Sequence, residues 1–311
     1  MNKEVIYTLK SPYRDDMRIS GYKFGSGAKT ACIVGAIRGN EIQQLYACSQ
    51  LIKVLKKLEK QGNIRKNTEI LVIPCVNPHS MNIGKRFWSM DNSDINRMFP
   101  GNKSGLTTER IAGGVFEKVK GYTYGIQFAS FYMPGQFIPH IRMMETGRHS
   151  PSLANLFGLP YVVIKKPRPY DVMTLNYNWQ LFETNAFSLY TNATDKIDEE
   201  SANHAVVAVL RFLTRMGAIK YTCHSGYIAS ILKEDDLCSV KTECGGIYRM
   251  IKKPGQSVER GDVLGEILHP YEGEVISKII APTDGIIFFA HTLPTVMENV
   301  VAYKIIRRIH E

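Results

Sequence analysis

Thr30-Ala31-Cys32-Ile33-Val34-Gly35 is a short apolar run that ends in glycine, and Glu41–Leu58 follows it with apolar residues at helical spacing. A brief apolar run closed by a turn residue reads as a buried strand, and the 3.6-residue period reads as an amphipathic helix lying against it. Glu69–Val76 (EILVIPCV) repeats the strand signal and is closed by the turn-forming Asn77-Pro78. Pro160–Ile164 and Ala186–Tyr190 are further strand candidates. Ser201–Met216 predicts a helix with Ala205, Val206, Val209, Leu210 and Leu213 on one face. Apolar strands separated by helices predict an α/β domain, a mostly parallel or mixed central sheet with helices on both faces. In such sheets ligands sit beyond the carboxyl ends of the strands.

The chemistry changes near residue 222. Helical spacing stops, and short strands alternate with glycine turns through GGIYRMI, KPGQSVERGDVLGEIL and GEVISKIIAPTDGIIFFA. This predicts a small all-β lobe, and the reading divides the chain into 1–225 and 226–311. The pattern K-x-G-x-x-V-x-x-G-D-x-L-G followed by A-P-x-D-G resembles the lipoyl/biotinyl-type barrel. No E-A-M-K-M segment is present, so Lys278 is expected to be a plain surface residue rather than a carrier lysine.

Composition narrows the function class. The net charge is +10, but the basic residues are scattered and their densest groups are short, so no nucleic-acid partner is expected. No stretch reaches the length of a membrane span, and MNKEVIYTLKSPYRDD holds no apolar signal core. The expectation is a cytoplasmic protein without a membrane partner. The six cysteines form no C-x-x-C pair, which excludes zinc-ribbon and thioredoxin-like readings. A homo-oligomer remains open.

Four segments carry a resemblance that spans nearly the whole chain. They are GAIRGNEIQQ from Gly35, NPHSMNIGKRFWSMDNSDINRMFPG from Asn77, YGIQFAS from Tyr124 and NAFSLYTNA from Asn185. Together they resemble the succinylglutamate desuccinylase/aspartoacylase family, a branch of the zinc carboxypeptidase fold, and the barrel-like tail fits that layout. The resemblance implies a zinc-dependent hydrolase that cuts the amide bond of an N-acyl amino acid. Carried over position by position, it implies something different for this chain. The family's G-x-H-G-N-E supplies a histidine and a glutamate to zinc; here Glu41 stands, but Arg38 takes the place of the histidine. The third ligand comes from D-L-H, and the matching residue is Ala129. The glutamate that activates water comes from a sequence like A-F-T-x-E, and the matching residue is Tyr190.

A guanidinium has donors only and cannot coordinate a metal. A catalytic zinc needs about three protein ligands and one open position, so Glu41 alone would not hold one. No cofactor is expected. The substrate-binding half is retained: the resemblance implies that Arg86 polarises the scissile carbonyl, and that Asn96 and Arg97 grip a substrate carboxylate. A planar guanidinium suits that task, although Asn96 and Arg97 could instead brace a loop.

Other metal or nucleophile sets read less well. Glu145 and His149 are interrupted by Gly147, His140 and His79 follow prolines, and a Cys223–His224 pair has no visible orienting group. The leading expectation is therefore a relative of the deacylases that has lost the usual zinc site and keeps a carboxylate pocket for an amino acid or N-acyl amino acid. It acts either as a pseudoenzyme or through a rebuilt mechanism. Two other readings stay open. One is an active zinc hydrolase with non-standard ligands, and the other is a scaffold with no ligand. A further expectation is that Arg38, three residues from Glu41, pairs with it in place of a metal.

Overall fold

A computed structural model describes residues 1–13, 15–131 and 133–308. The chain forms two compact units: Met1–Ser130 with Pro139–Ile231, and Phe131–Ile138 with Leu232–Glu311. No single cut in the sequence separates them, because Phe131–Ile138 belongs with the later residues.

The first unit is built on a nine-stranded sheet. Its strands are β1 (Asn2–Leu9), β2 (Met17–Ser26), β3 (Ala28–Ala36), β4 (Thr68–Cys75) and β5 (Tyr124–Ala129), then β7 (His140–Met144), β8 (Tyr161–Lys165), β9 (Asn185–Tyr190) and β10 (Ser230–Lys233). β6 (Gly135–Phe137) belongs to the second unit. The spatial order is β1-β2-β4-β3-β5-β9-β7-β8-β10. The centre, β4-β3-β5-β9, is parallel, as the apolar runs predict. β1 on β2, β2 on β4 and β7 on β9 are antiparallel, so the sheet is mixed.

Successive side chains on a strand point to opposite faces, which gives the sheet two cores. Ile33, Ile126, Phe128 and Phe187 pack under α1 (Ile42–Lys60) and α6 (Glu199–Arg215). Cys32, Val34 and Ala186 face the other way, toward α3 (Thr107–Val119) and α5 (Leu175–Leu181). Two short helices, α2 (Pro78–Met81) and α4 (Pro151–Asn155), complete the set. Both α2 and α4 begin with proline, whose fixed φ suits a first helical turn. Among the described residues no helix is long and apolar enough to cross a membrane.

The second unit is all-β. One sheet has the order β11-β18-β16-β13, from β11 (Leu237–Lys241), β13 (Ser257–Val258), β16 (Gly285–His291) and β18 (Val301–Arg307), and β6 pairs with β16. The other has the order β15-β14-β12-β17, from β12 (Gly246–Met250), β14 (Val263–Leu268), β15 (Val275–Ile280) and β17 (Thr295–Val296). Leu264, Ile267, Ile279, Ile287 and Ile305 fill the core of this unit.

Candidate functional site

β3, β5 and β9 run in parallel, so their carboxyl ends lie along one edge of the sheet. β7 runs against β9 and starts at that same edge, opposite the end of β9. The loops that leave this edge hold the residues singled out by the sequence.

The turn between β3 and α1 is shaped by close approach. The Gly39 N–H donates to Arg86 O at 3.1 Å. A Cβ on Gly39 would lie 2.3 Å from Lys85 O and 2.5 Å from Ser80 Cβ, so only glycine lets the Ser80–Arg86 segment close over the turn. Gly39→Ala should cost about 1–3 kcal/mol through this overpacking, read as a lowered midpoint in urea unfolding. An unchanged midpoint would show that the segment yields freely.

Glu41 is fully buried and its carboxylate is saturated. One oxygen, Oε2, accepts from the backbone N–H groups of Ile37 (2.8 Å) and Arg38 (3.0 Å). The other, Oε1, accepts from Arg38 Nη1 (3.1 Å) and from the Ser130 hydroxyl. The Arg38–Glu41 pair expected from their spacing is thus present. A second acid joins it. Arg38 Nε donates to Asp94 Oδ1 (3.0 Å) and Oδ2 (3.1 Å), and its Nη2 donates to Oδ2 at 2.9 Å. Burial alone would push the Arg38 guanidinium down, but Asp94 and then Glu41 outweigh it and hold its pKa above the ordinary value.

Two more arginines flank this centre. Arg97 Nε lies 3.5 Å from Asp94 Oδ2, and its Nη1 donates to Tyr170 O at 3.2 Å. Its guanidinium also sits 4.7 Å from the centre of the Tyr170 ring. Arg86 differs: among the described residues its guanidinium has no ion pair and no hydrogen bond, and it rests 5.8 Å from the Phe87 ring centre. Burial, followed by the neighbouring Arg38 charge, depresses its pKa. Asn96 Oδ1 accepts from Leu175 N at 3.4 Å, so this side chain ties the loop to the start of α5.

Ala129, Tyr190 and His140 stand in one row across β5, β9 and β7. The Tyr190 ring stacks on His140 with centres 4.9 Å apart, and the Arg142 guanidinium lies 4.8 Å from it. Ala129 contributes only its carbonyl, which accepts from the buried Gln44 Nε2 at 3.2 Å. His224, weighed as half of a cysteine–histidine pair, instead accepts from Gly226 N at 3.2 Å, and its carbonyl takes Arg211 Nε at 2.9 Å.

These residues do not fit a zinc ion. The carboxylate at Glu41 has its lone-pair directions occupied by four donors, and Arg38 places a cation beside it. Ala129 has no donor atom in its side chain to add to the set.

Sequence reasoning placed Arg38 and Glu41 together but missed Asp94 and Ser130. Asp94 sits inside D-I-N-R, where Asn96 and Arg97 drew the functional reading. Its signal was available, since a buried guanidinium carries five N–H donors and one carboxylate cannot satisfy them.

Residues 27–214 match the family described as the succinylglutamate desuccinylase/aspartoacylase catalytic domain. A curated relative, the N-alpha-acetyl-L-2,4-diaminobutyric acid deacetylase of Halomonas elongata, is 23% identical over 276 residues, which span 79% of this chain and 72% of that protein. Among solved structures, a succinylglutamate desuccinylase from Silicibacter sp. TM1040 superposes with a TM-score of 0.80 at 18% identity, covering 97% of this chain and 92% of the other. The product-bound ectoine utilization protein EutE (DoeB) of Ruegeria pomeroyi gives 0.78 at 18% identity, covering 96% and 92%. The solved structures share the fold, and the match across the catalytic domain establishes the kinship: this chain belongs to the succinylglutamate desuccinylase/aspartoacylase family.

Proposed function

We propose that the protein binds a small carboxylate, an amino acid or short N-acyl amino acid, at the Arg86–Arg97 edge, and that it does so without a metal ion, as a pseudoenzyme of its family. The observation that carries this reading is Arg86. A partly buried cation beside two other arginines, with no acid paired to it, is costly unless an anion completes the site. Arg38 differs in having Glu41 and Asp94, so its charge is already balanced within the protein.

In this reading Arg86 is the principal anion contact. Arg97, fixed by Asp94 and Tyr170, is pre-set to add a second, directed contact. Asn96 supports the site by fixing the α5 end of the loop, and its amide nitrogen remains for the ligand. The name of the Halomonas relative, a deacetylase of an N-acetylated amino acid, supports the same ligand class.

Calorimetry with a panel of amino acids and N-acyl amino acids tests this on the wild type, Arg86→Ala and Arg97→Ala. At least one carboxylate should bind the wild type, and each alanine should weaken it by about 1.5–3 kcal/mol, the range for a hydrogen bond to a charged group. Equal responses from all three proteins would remove the pocket. Turnover of an N-acyl amino acid with one zinc bound per chain would instead select the active hydrolase.

A further inference from the structure

α5 lies on the sheet against β9, β5 and β7, and it buries polar side chains as well as apolar ones. Trp179 marks its inward side: a Cβ on Gly125 of β5 would come within 2.7 Å of that ring. Asn176 is three residues from Trp179 and four from Gln180, so it shares its side of the helix with both. Asn176 is 3% exposed and Gln180 is 1% exposed. Among the described residues neither Oδ1 nor Nδ2 of Asn176 has a hydrogen-bond partner, and Gln180 Nε2 has none either. Gln180 Oε1 accepts from the Thr146 hydroxyl. Most buried polar side-chain atoms in native proteins are paired, and each exception asks for a reason.

The sheet beneath is polar too. Ser188 of β9 stands opposite Gln127 of β5 and Arg142 of β7, and all three are buried. Ala186, two residues before Ser188, belongs to the core on the α5 side, so this row faces the helix. The Arg142 guanidinium is already engaged, 4.8 Å from the centre of the Tyr190 ring. Asn176 directly follows Leu175, whose N–H donates to Asn96 Oδ1. The unpaired amides thus begin one residue from the contact that anchors the Asn96–Arg97 loop.

We infer that this compartment is the side-chain subsite of the carboxylate ligand, and that it selects a neutral primary amide, as carried by asparagine, glutamine or their N-acyl forms. The inference rests on the carboxylate site proposed above. Selection follows from the inventory of donors and acceptors. Asn176 offers one of each kind, and a primary amide answers both. The ligand's carbonyl keeps a second lone pair for Gln180 Nε2. A side-chain carboxylate has acceptors only and would set an oxygen against Asn176 Oδ1. An ammonium has donors only and would face two amide nitrogens. An aliphatic side chain would leave every group unpaired. If the Gln180 amide were turned end for end, its oxygen would take the ligand's second N–H, and the choice would stand.

Calorimetry on the full chain tests it. Glutamine and asparagine are compared with glutamate, aspartate, leucine and ornithine, each free and N-acetylated, on the wild type, Arg97→Ala and Asn176→Leu. The wild type should bind one amide about tenfold or more tighter than its acidic, cationic and aliphatic analogues, because a mismatched side chain leaves buried polar groups unpaired. Asn176→Leu should reverse that order: the amide loses about tenfold and leucine gains. Its thermal midpoint without ligand should hold or rise, since an unpaired buried amide has been removed. A lower midpoint with the order unchanged marks a structural residue and overturns the inference. The wild-type comparison needs no variant, so it decides the point even if Asn176→Leu does not fold. Binding that Arg97→Ala weakens, but that ignores the side chain or favours an acid, an amine or an aliphatic group, overturns the subsite and leaves the carboxylate site standing. Failure of every carboxylate to bind removes both.

Discussion

Arg38→Ala should lower the stability of the protein by about 3–5 kcal/mol, the cost of breaking a buried ion pair from one side. The expectation rests on burial: the side chains of Arg38, Glu41 and Asp94 are 8%, 0% and 11% exposed. Removing the guanidinium leaves Glu41 with its two backbone donors and Ser130, while Asp94 loses its three hydrogen bonds from Arg38 and keeps only Arg97, 3.5 Å away, and the backbone N–H of Asn96. Two carboxylates then face each other across the space that the cation filled. Arg38→Ala combined with Glu41→Ala should recover part of the loss, because one orphan charge is gone. Adding Asp94→Asn should recover more. Urea unfolding of the single, double and triple variants measures these terms. Strict additivity of the Arg38 and Glu41 substitutions would show that the two side chains do not interact energetically.

The second large effect concerns metal content. Protein purified without added zinc or chelator should carry far less than one zinc per chain, and Arg38→His should not change that. The histidine would supply one ligand and remove the competing cation. Glu41 would still be held by the backbone N–H groups of Ile37 and Arg38 and by Ser130, and Ala129 would still offer no ligand. A site of one or two donors falls short of the three that a catalytic zinc ordinarily takes from protein. Elemental analysis after dialysis against zinc gives the result directly. Stoichiometric zinc in the wild type that survives mild chelation would mean that the ligands lie elsewhere and that the assignment of Arg38, Ala129 and Tyr190 is wrong.

How much of this was legible in the sequence depended on whether one short segment held the whole signal. β3, α1, β4 and α6 were read to within a few residues because their apolar periodicity is strong and local. α3 was missed. Gly113-Gly114 lies in its middle, and glycine inside a helix lowers the expectation by about 1 kcal/mol each. The reason for them is tertiary: a Cβ on Gly114 would lie 2.1 Å from the Tyr7 ring, and one on Gly113 would press on Gly101 and Asn102. The β1–β2 hairpin was missed because NKEVIYTL mixes charged and apolar residues, and β1 bulges between Val5 and Tyr7. Phe131–Ile138 joins the second unit through the pairing of β6 with β16, a contact between residues more than 140 positions apart that no local pattern announces. At the site, the three-residue spacing of Arg38 and Glu41 sufficed to pair them. Asp94 lies 56 residues from Arg38 and Ser130 lies 89 residues from Glu41, so their roles are visible only once the strands are assembled.

The buried cation at Arg38 also changes when the site becomes complete. A centre that depends on a metal is unfinished when the chain leaves the ribosome; it waits on delivery, and its occupancy follows supply. Here the positive charge is encoded in the message and arrives with the side chain, already balanced by Glu41 and Asp94 once the strands have come together. Under the metal-free reading proposed above, maturation and folding would be one event, and the electrostatic character of the site would be the same in every copy of the protein, in metal-starved cells as in metal-replete ones.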